Sequence, residues 1–383
     1  MAQVIRTVND TLMSSFLYEG ILFLIRSSGN FSSFNFPRAY KDLDDDKLDR
    51  IKVKLAGRND QGAINQLGLS ISNKASYGEL LRELKRNSSN SAIIPSGMTS
   101  FNLNVTIRGN SIVVGSGQMM TAFQIFKADR FTGISCLELG SISSQLKLIF
   151  SREVLLTGLL GIYSSHVLSR GKEHYFLFFS PEEALNLLLS QDLKKLEKYF
   201  MVKEESSDEI GKAIERGFTT ETIILELILS SKILELMMRE NLDKLSLTLV
   251  KLSQEGRGTY KVYEQIPLNL LNRPYYLDLL EEYFSNPSEF SRTISRLLRP
   301  EDSVIMDAVR SMGTRGTYRE ADNALRALHG LYRFVTLGDV SGWYEFVREM
   351  VNSYSKLSGS NDRRERSRSM AYRRILTELG RIR

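Results

Sequence analysis

Apolar and polar residues alternate strictly between residues 101 and 107, which is the period-two pattern of a strand with one buried face. The Gly109-Asn110 pair that follows predicts a tight turn into a second strand at residues 112–114. Further patterns predict strands at residues 121–125, 134–139 and 174–179, and helices at residues 11–26, 77–85 and 144–168. We therefore expect a mixed or antiparallel sheet with helices packed on it.

The pattern changes at residues 180–183, where Ser180 is a predicted helix N-cap, Pro181 the first helical residue and Glu183 the partner in a capping box. Apolar residues then recur at helical spacing almost to the end, including residues 242–253, 318–335, 343–357 and 368–380, with one possible strand at 261–266. We predict an α+β fold, in which an α+β domain (residues 1–180) precedes an all-helical bundle (181–357) and an arginine-rich linker with a terminal helix (358–383).

Charge is distributed unevenly along the chain. Residues 292–383 hold 17 Arg, 1 Lys and 11 acidic residues, a balance of +7, whereas the preceding 291 residues hold 33 basic and 34 acidic residues, so the total is +6. The accumulated residue is arginine, whose planar guanidinium binds phosphate in a bidentate manner and stacks on bases. This asymmetry predicts a polyanionic partner, and nucleic acid is the first candidate.

Two arginine patterns stand out. Arg319, Arg326 and Arg333 recur every seven residues in the predicted helix 318–335 and would follow a phosphate backbone, although Asp322 is placed to neutralise the first two. In residues 361–383, eight arginines face three acids. An apolar stripe in the same segment predicts a final helix that docks on this chain or on a partner and holds its arginines outward, towards nucleic acid or a protein. The stripe comprises Tyr372, Ile375, Leu379 and Ile382.

Predicted loops of the first domain carry side chains that pair with base edges. Residues 57–62 place arginine, asparagine and glutamine between two glycines. A predicted hairpin tip and the turn after Phe126 carry further basic and amide side chains. Ordinary polar loops have the same composition, which remains the commoner interpretation of any single one. The candidate nucleic-acid contacts are Arg58, Asn59, Gln61, Arg108, Asn110, Lys127, Arg130, Arg315, Arg319, Arg326, Arg333, Arg363, Arg364, Arg366, Arg368, Arg373 and Arg374.

No motif predicts catalysis, a metal or a cofactor. The three histidines include no i, i+4 pair, and the single Cys136 builds neither a disulfide nor a multi-thiolate site. The aspartates at positions 42, 44 and 46 lack the glycine and glutamate of a calcium loop and are typical of an acidic helix start. We predict a non-catalytic protein, and leave open an enzyme whose site gathers carboxylates around His166 or His174.

The apolar run at residues 21–25 is far shorter than the roughly 20 residues that span a membrane, and no basic leader precedes it. Together with the low cysteine content, this leads us to expect a cytoplasmic protein with no membrane partner.

The segments FNLNVTIRGNSIVVGSG, FQIFKADRFTGIS and HYFLFFSPEEALNLLL, followed by an arginine-rich helical half, resemble the large subunit of archaeal type I-A CRISPR surveillance (Cascade) complexes over nearly the whole chain. The resemblance implies a non-catalytic subunit of an RNA-guided antiviral complex. Its first domain would read the PAM beside the target, and its helical domain would hold displaced DNA. The implied partners are double- and single-stranded DNA and the other subunits and guide RNA of a hetero-oligomer. The alternative is a structural protein, such as a viral or scaffold subunit, whose arginine tail inserts into a neighbouring copy.

Overall fold

The computed structural model describes residues 11–72, 74–97, 103–108, 111–131, 147–216, 220–255, 259–284, 287–298, 303–312 and 316–382. The α+β class expected from the sequence is confirmed. The chain forms two units: unit 1 holds Met1–Lys203 and Ser246–Asn269, and unit 2 holds Glu204–Leu245 and Leu270–Arg383. This division differs from a boundary at residue 180 because two later strands return to the sheet of unit 1.

Seven α-helices are described in unit 1: α1 (Leu12–Ser28), α2 (Phe36–Lys41), α3 (Asp45–Arg50), α4 (Arg58–Gln66), α5 (Tyr77–Arg86), α6 (Arg152–Ser165) and α7 (Pro181–Ser190). Thr11 caps α1 by accepting a hydrogen bond from the Ser14 amide at 3.2 Å. Asp44 caps α3 and accepts from the Lys47 amide at 2.8 Å, so the aspartate cluster does form a helix start.

The first sheet has the order β1-β2-β4-β3, with β1 Val105–Arg108, β2 Ser111–Val114, β3 Met119–Thr121 and β4 Lys147–Ser151. Arg108 lies opposite Ser111 in an antiparallel pair, which confirms the predicted hairpin; its two turn residues lie outside the described part. The buried face expected of its first strand is wrong for β1, because Val105 and Ile107 are both exposed. Strands β2 and β4 are parallel. The strand expected at 121–125 ends at Thr121, and a 3-10 helix, Gln124–Phe131, follows. The strand expected at 134–139 lies outside the described residues.

The second sheet has the order β5-β6-β7-β8, with β5 His166–Arg170, β6 Glu173–Phe179, β7 Lys244–Glu255 and β8 Thr259–Leu271. Strand β6 pairs antiparallel with both β5 and β7, as expected of a central strand. The helix predicted at residues 242–253 was wrong, because this segment is β7. Leu245, Leu247 and Leu249 are buried at period two, but leucine also suits helices, and pairing with β6 decides the outcome.

Two helix predictions in unit 1 are corrected by the sheets. Helix α6 is shorter than residues 144–168 because β4 and β5 take up its ends. Ser180 caps α7 as predicted and accepts from the Glu183 amide at 3.2 Å. The capping box does not close, since the Glu183 carboxylate accepts from the Ser246 amide at 3.3 Å instead. The Ser180 amide donates to the Ser246 carbonyl, so β7 supplies both partners.

The core of unit 1 is built on close contact between α1 and α6. A Cβ atom on Gly20 would overlap the Thr157 carbonyl, and one on Gly161 would overlap the Phe16 carbonyl, so only glycine permits this approach. Beside this contact, Lys203 donates to the buried Glu19 carboxylate. Burial of both partners makes this pair part of the packed interior.

Unit 2 is helical: α8 (Leu193–Arg216, from Glu204 on), α9 (Thr220–Leu229), α10 (Ser231–Glu240), α11 (Tyr275–Tyr283), α12 (Pro287–Leu298), α13 (Val304–Ser311), α14 (Ala321–Leu337), α15 (Val340–Ser358) and α16 (Arg363–Ile382). Helices α14 and α15 meet at Gly330 and Gly342, where a Cβ on either residue would crowd the backbone of the other. An expected linker across residues 358–367 shrinks to residues 359–362 because α15 and α16 are both longer than predicted.

Candidate nucleic-acid interface

Helix α16 starts five residues earlier than its apolar spacing predicted. Asp362 caps it, and its carboxylate accepts from the Arg364 amide at 2.6 Å and from the Glu365 amide at 3.3 Å. Arginines that had been assigned to a linker therefore lie on a regular helix with a defined direction.

The apolar stripe of α16 is buried within unit 2. Tyr372, Ile375 and Leu379 are at most 7% exposed, in contact with α12, α13 and α15. Burial also raises the pKa of Tyr372 well above its usual range. The side chain of Ile382 lies outside the described part. The stripe orients the helix, so the residues on its opposite side face solvent.

Arg368 points inward, unlike its neighbours. Its guanidinium binds the buried Glu320 carboxylate at 2.6 Å and the Val304 carbonyl at 2.9 Å. It also stacks on Tyr318, 3.7 Å from the ring centroid, and lies 3.6 Å from Asp307. Its side chain is 11% exposed. Arg368 thus joins α16 to α13 and to the start of α14, and is not placed to meet an external ligand.

Both glutamates of α16 are paired with arginines of other elements. Glu365 binds Arg319 at 3.2 Å, and Glu378 binds Arg296 of α12. The two carboxylates of α16 are thus bound to arginines of other elements, so they do not neutralise the exposed arginines of α16 itself.

The solvent side of α16 is an arginine face. At 100° per residue, its five members fall within about 100° of arc, opposite the buried stripe. They span 18 residues, or about 27 Å of helix. All are exposed, and no acid of α16 lies in this arc. The α16 arginine face consists of Arg363, Arg366, Arg373, Arg374 and Arg381. Arg364 is also exposed, but it lies outside this arc, towards the buried stripe.

The arginine pattern on α14 has a different environment. Arg319 lies before the helix rather than on it. Arg333 is bound by Asp339 and by Glu345, the latter at 2.9 Å. Hydrogen bonds from Ser341 and Arg333 hold the pKa of Asp339 below its ordinary value, so it stays ionised. Arg326 is left exposed.

The neutralising role predicted for Asp322 falls to other acids. Asp322 and Arg326 are both exposed on α14, and His329 lies three residues after Arg326 on the same helix. In the described residues, the acids that bind arginines of this region are Glu365, Asp339 and Glu345 instead. Neutralisation of this surface therefore comes from residues distant in sequence or beyond the helix end.

A polar cleft lies between α12 and α16. It encloses about 270 Å³ and is lined by Arg292, Arg296 and Arg381 together with Thr293 and two glutamates. Arg296 is taken by Glu378. Arg292 and Arg381 are both exposed, so the arginine face continues into a recess of positive charge.

The predicted base-reading loop at residues 57–62 is the start of α4, which corrects the loop assignment. Buried Asp60 fixes the first turn of this helix against neighbouring segments, because its carboxylate accepts from the Ala56 amide at 2.7 Å and from the Gln124 amide at 2.8 Å. Burial raises the pKa of this carboxyl above its usual value. Gln61 donates to Asn65 at 2.8 Å, one turn on. A helix of this kind presents fewer free backbone groups to a base than a loop does.

The other candidates of the first domain are dispersed. Arg58 and Asn59 are exposed on the first turn of α4, and Arg108 is exposed at the end of β1. Lys127 is half-buried in the 3-10 helix. Candidates outside the residues whose side chains are described are Asn110, Arg130 and Arg315.

The two histidines of unit 1 share one serine and no carboxylate. Ser169 Oγ lies 2.9 Å from His166 Nε2 and 3.0 Å from His174 Nδ1. Burial lowers the pKa of His166 to about 3 and that of His174 to about 4. Both rings are neutral at pH 7, and a base with so low a pKa accepts protons poorly. The hydrogen-bond partner described for both rings is therefore a serine, and not the group of carboxylates that would have indicated an enzyme.

Two kinds of feature are absent from the part of the chain that the structure describes. There, no three His, Cys, Asp or Glu side chains come together as metal ligands. No described helix combines the length and the apolar character needed to cross a bilayer.

The fold and the arginine face define an α+β protein with a cationic terminal helix. The chain is 34% identical, over 387 residues and 97% of each chain, to an uncharacterized protein of the archaeon Archaeoglobus fulgidus, and it belongs to the same family. No family model matches it. No solved structure matches it either.

Proposed function

We propose that this protein binds nucleic acid through the α16 arginine face. The observation that carries the proposal is the exposure of five arginines along about 27 Å of one helix side, while both glutamates of α16 are bound by other arginines. A solvated helix of ordinary composition keeps its acids beside its bases. On α16, the side that carries the exposed arginines is separate from its two glutamates.

The mechanism is phosphate neutralisation. Guanidinium groups displace condensed counterions from the nucleic acid, and the release of these ions drives binding without base readout. Arg292 in the cleft and Arg326 on α14 add two exposed cations in the same unit. Such a surface holds a strand firmly and tolerates any sequence.

The more specific form of this function comes from the resemblance to the type I-A Cascade large subunit. In that form the chain is a non-catalytic cytoplasmic subunit of an RNA-guided antiviral complex, and α16 holds displaced DNA beside the guide complex. PAM reading would fall to exposed residues of unit 1, such as Arg58, Asn59 and Arg108. An archaeal relative at 34% identity agrees with the archaeal setting of those complexes.

The scaffold alternative has lost its main support. It rested on an apolar stripe in the tail that would insert into a neighbouring copy. Tyr372, Ile375 and Leu379 of this stripe pack inside unit 2 of the same chain. We therefore retain nucleic-acid binding as the proposal.

The affinity of the purified protein for a single-stranded oligonucleotide, measured against salt concentration, tests the function. Each phosphate contact on a single strand contributes about 0.7 to the log–log slope, so contacts by the five-arginine face predict a slope of about −3 to −4. A slope near zero, or no binding at 50 mM salt either alone or with co-purified subunits, would refute it.

A further inference from the structure

An aromatic pocket lies in unit 2 beside the C-terminal turns of α16. It encloses about 250 Å³ and its lining is mostly apolar. Phe284, Phe334 and Trp343 form one side, with ring centroids 5.1 Å apart for Phe284 and Trp343 and 5.7 Å for Phe334 and Trp343. Tyr283 and Tyr344 also line it and are 49% and 59% exposed, so they stand at its opening.

The pocket differs from an ordinary gap in a core. Three aromatic side chains line its interior, and two tyrosines at its opening are each half-exposed. Exposed aromatic side chains next to a concave apolar site suit a planar partner that is partly hydrated. The volume admits a single planar ring system.

Helix α16 connects this pocket to the arginine face. Gly380 lines the pocket and lies seven residues after Arg373, which places it on the same side of the helix about 10 Å further along. The next residue, Arg381, lines the polar cleft with Arg292. A ligand that reaches the pocket along α16 therefore passes exposed guanidinium groups.

We propose that the pocket receives one base of a single-stranded nucleic acid whose phosphates lie on the α16 arginine face. This inference rests on the proposed function and extends it from phosphate binding to base stacking. A paired base in a duplex is covered on both faces, whereas an unpaired base stacks on aromatic side chains. The occupant is thus an unpaired nucleobase.

The single tryptophan of the chain, Trp343, lines the pocket and provides a direct signal. Intrinsic fluorescence would be followed during titration with oligodeoxycytidylate and with an abasic oligonucleotide of equal length. We expect oligodeoxycytidylate to quench Trp343 and to bind about tenfold more tightly, because stacking of a base on an aromatic side chain has that effect. The abasic strand should bind with a similar salt slope and leave the fluorescence unchanged.

The outcomes separate the two proposals. Equal affinity for the two strands with no change in Trp343 emission would overturn the pocket assignment while leaving phosphate binding intact. Failure of both strands to bind would overturn the proposed function together with the pocket.

Variants at the opening give a second test that does not depend on fluorescence. Tyr344→Ala should lower affinity for oligodeoxycytidylate about fivefold or more and leave the abasic strand unaffected, while Tyr344→Phe should retain stacking. Tyr275→Ala is the matched control, since Tyr275 is 62% exposed on α11 and does not line the pocket. Loss of a co-purified protein subunit in Tyr344→Ala, with oligonucleotide affinity unchanged, would assign the pocket to a protein partner and overturn the inference.

Discussion

Two arginine-bearing helices of unit 2, α14 and α16, have similar sequence patterns and opposite surroundings. Around α14, Arg319 and Arg333 are bound by acids from α16, from the α14–α15 turn and from α15. On α16, the two glutamates form ion pairs with Arg319 and Arg296 of other segments, and five arginines of the helix face solvent. Arginines repeated along two helical segments thus leave one surface largely neutral and the other cationic.

The comparison shows that charge along a sequence becomes charge on a surface only after tertiary pairing is counted. Glu365 lies in the tail, yet it neutralises Arg319 outside the tail. Because Glu365 is bound to Arg319, it does not offset the exposed arginines of α16, and the contrast in charge between the two helices is larger. Variants that change the charge of either helix test this interpretation.

The largest expected effect is on stability and concerns the inward arginine of α16. Arg368→Ala leaves Glu320 buried without its cation, and loss of one partner from a buried pair costs about 3 to 5 kcal/mol. The midpoint of urea unfolding should fall markedly, as measured by circular dichroism.

Arg366→Ala is the control for that variant, because Arg366 is exposed on the same helix only two residues away. It should change the free energy of unfolding by less than about 0.5 kcal/mol. Similar destabilisation by the two variants would contradict the inward and outward assignment.

The next largest effect concerns binding by the arginine face. Replacing Arg366, Arg373 and Arg374 together by alanine should lower oligonucleotide affinity on the order of a hundredfold and reduce the salt slope by about 2. Fluorescence anisotropy across a salt series measures both quantities.

A triple alanine variant at three exposed lysines of unit 1, Lys52, Lys74 and Lys194, removes the same net charge. It should leave the salt slope unchanged. An equal loss in this variant would mean that overall charge, rather than the α16 face, drives binding.

A smaller effect is expected when the α14 surface is made to resemble α16. The double variant Asp339→Asn and Glu345→Gln releases Arg333 from both acids, and asparagine retains the α15 cap that Asp339 provides. Affinity should rise a few-fold, with a salt slope steeper by up to about 0.7. The pKa of Asp339 is lowered, so it loses its charge only in strong acid, and wild-type binding should not gain this increment between pH 6 and pH 8. Unchanged affinity in the double variant would place Arg333 away from the bound strand.

The smallest effect is expected at Arg326, which is exposed on α14 but isolated from the α16 face in sequence. Arg326→Ala should lower affinity by less than about threefold and reduce the slope by at most about 0.7. A loss as large as that of the α16 triple variant would show that the two helices contribute equally, and would remove the distinction drawn between them.

The fold was predictable where local pattern and tertiary pairing agree. Strands β1 and β2, helix α5 and the central strand β6 form near the segments whose apolar patterns predicted them. Prediction failed for β7, since its leucines satisfy a strand and a helix alike. It also failed at residues 57–62, where buried Asp60 organises a helix by accepting amide hydrogen bonds.

The candidate site was predictable in part. The buried stripe of α16 follows from apolar spacing, and the outward direction of most tail arginines follows from that stripe. Arg368 is the exception, because its role depends on Glu320 of another element. The aromatic pocket was not predicted, because Tyr283 and Phe284, at the end of α11, are distant in sequence from Trp343.

The sequence by itself determined the α+β class, the basic character of the final quarter and the existence of a docked terminal helix. These features depend on composition and on periodicity within one segment. Tertiary structure alone decided which arginines are exposed, since an acid pairs with the arginine that is nearest in space, whatever their separation in sequence. The α16 face is cationic because Arg296 and Arg319, from outside the helix, bind its two glutamates.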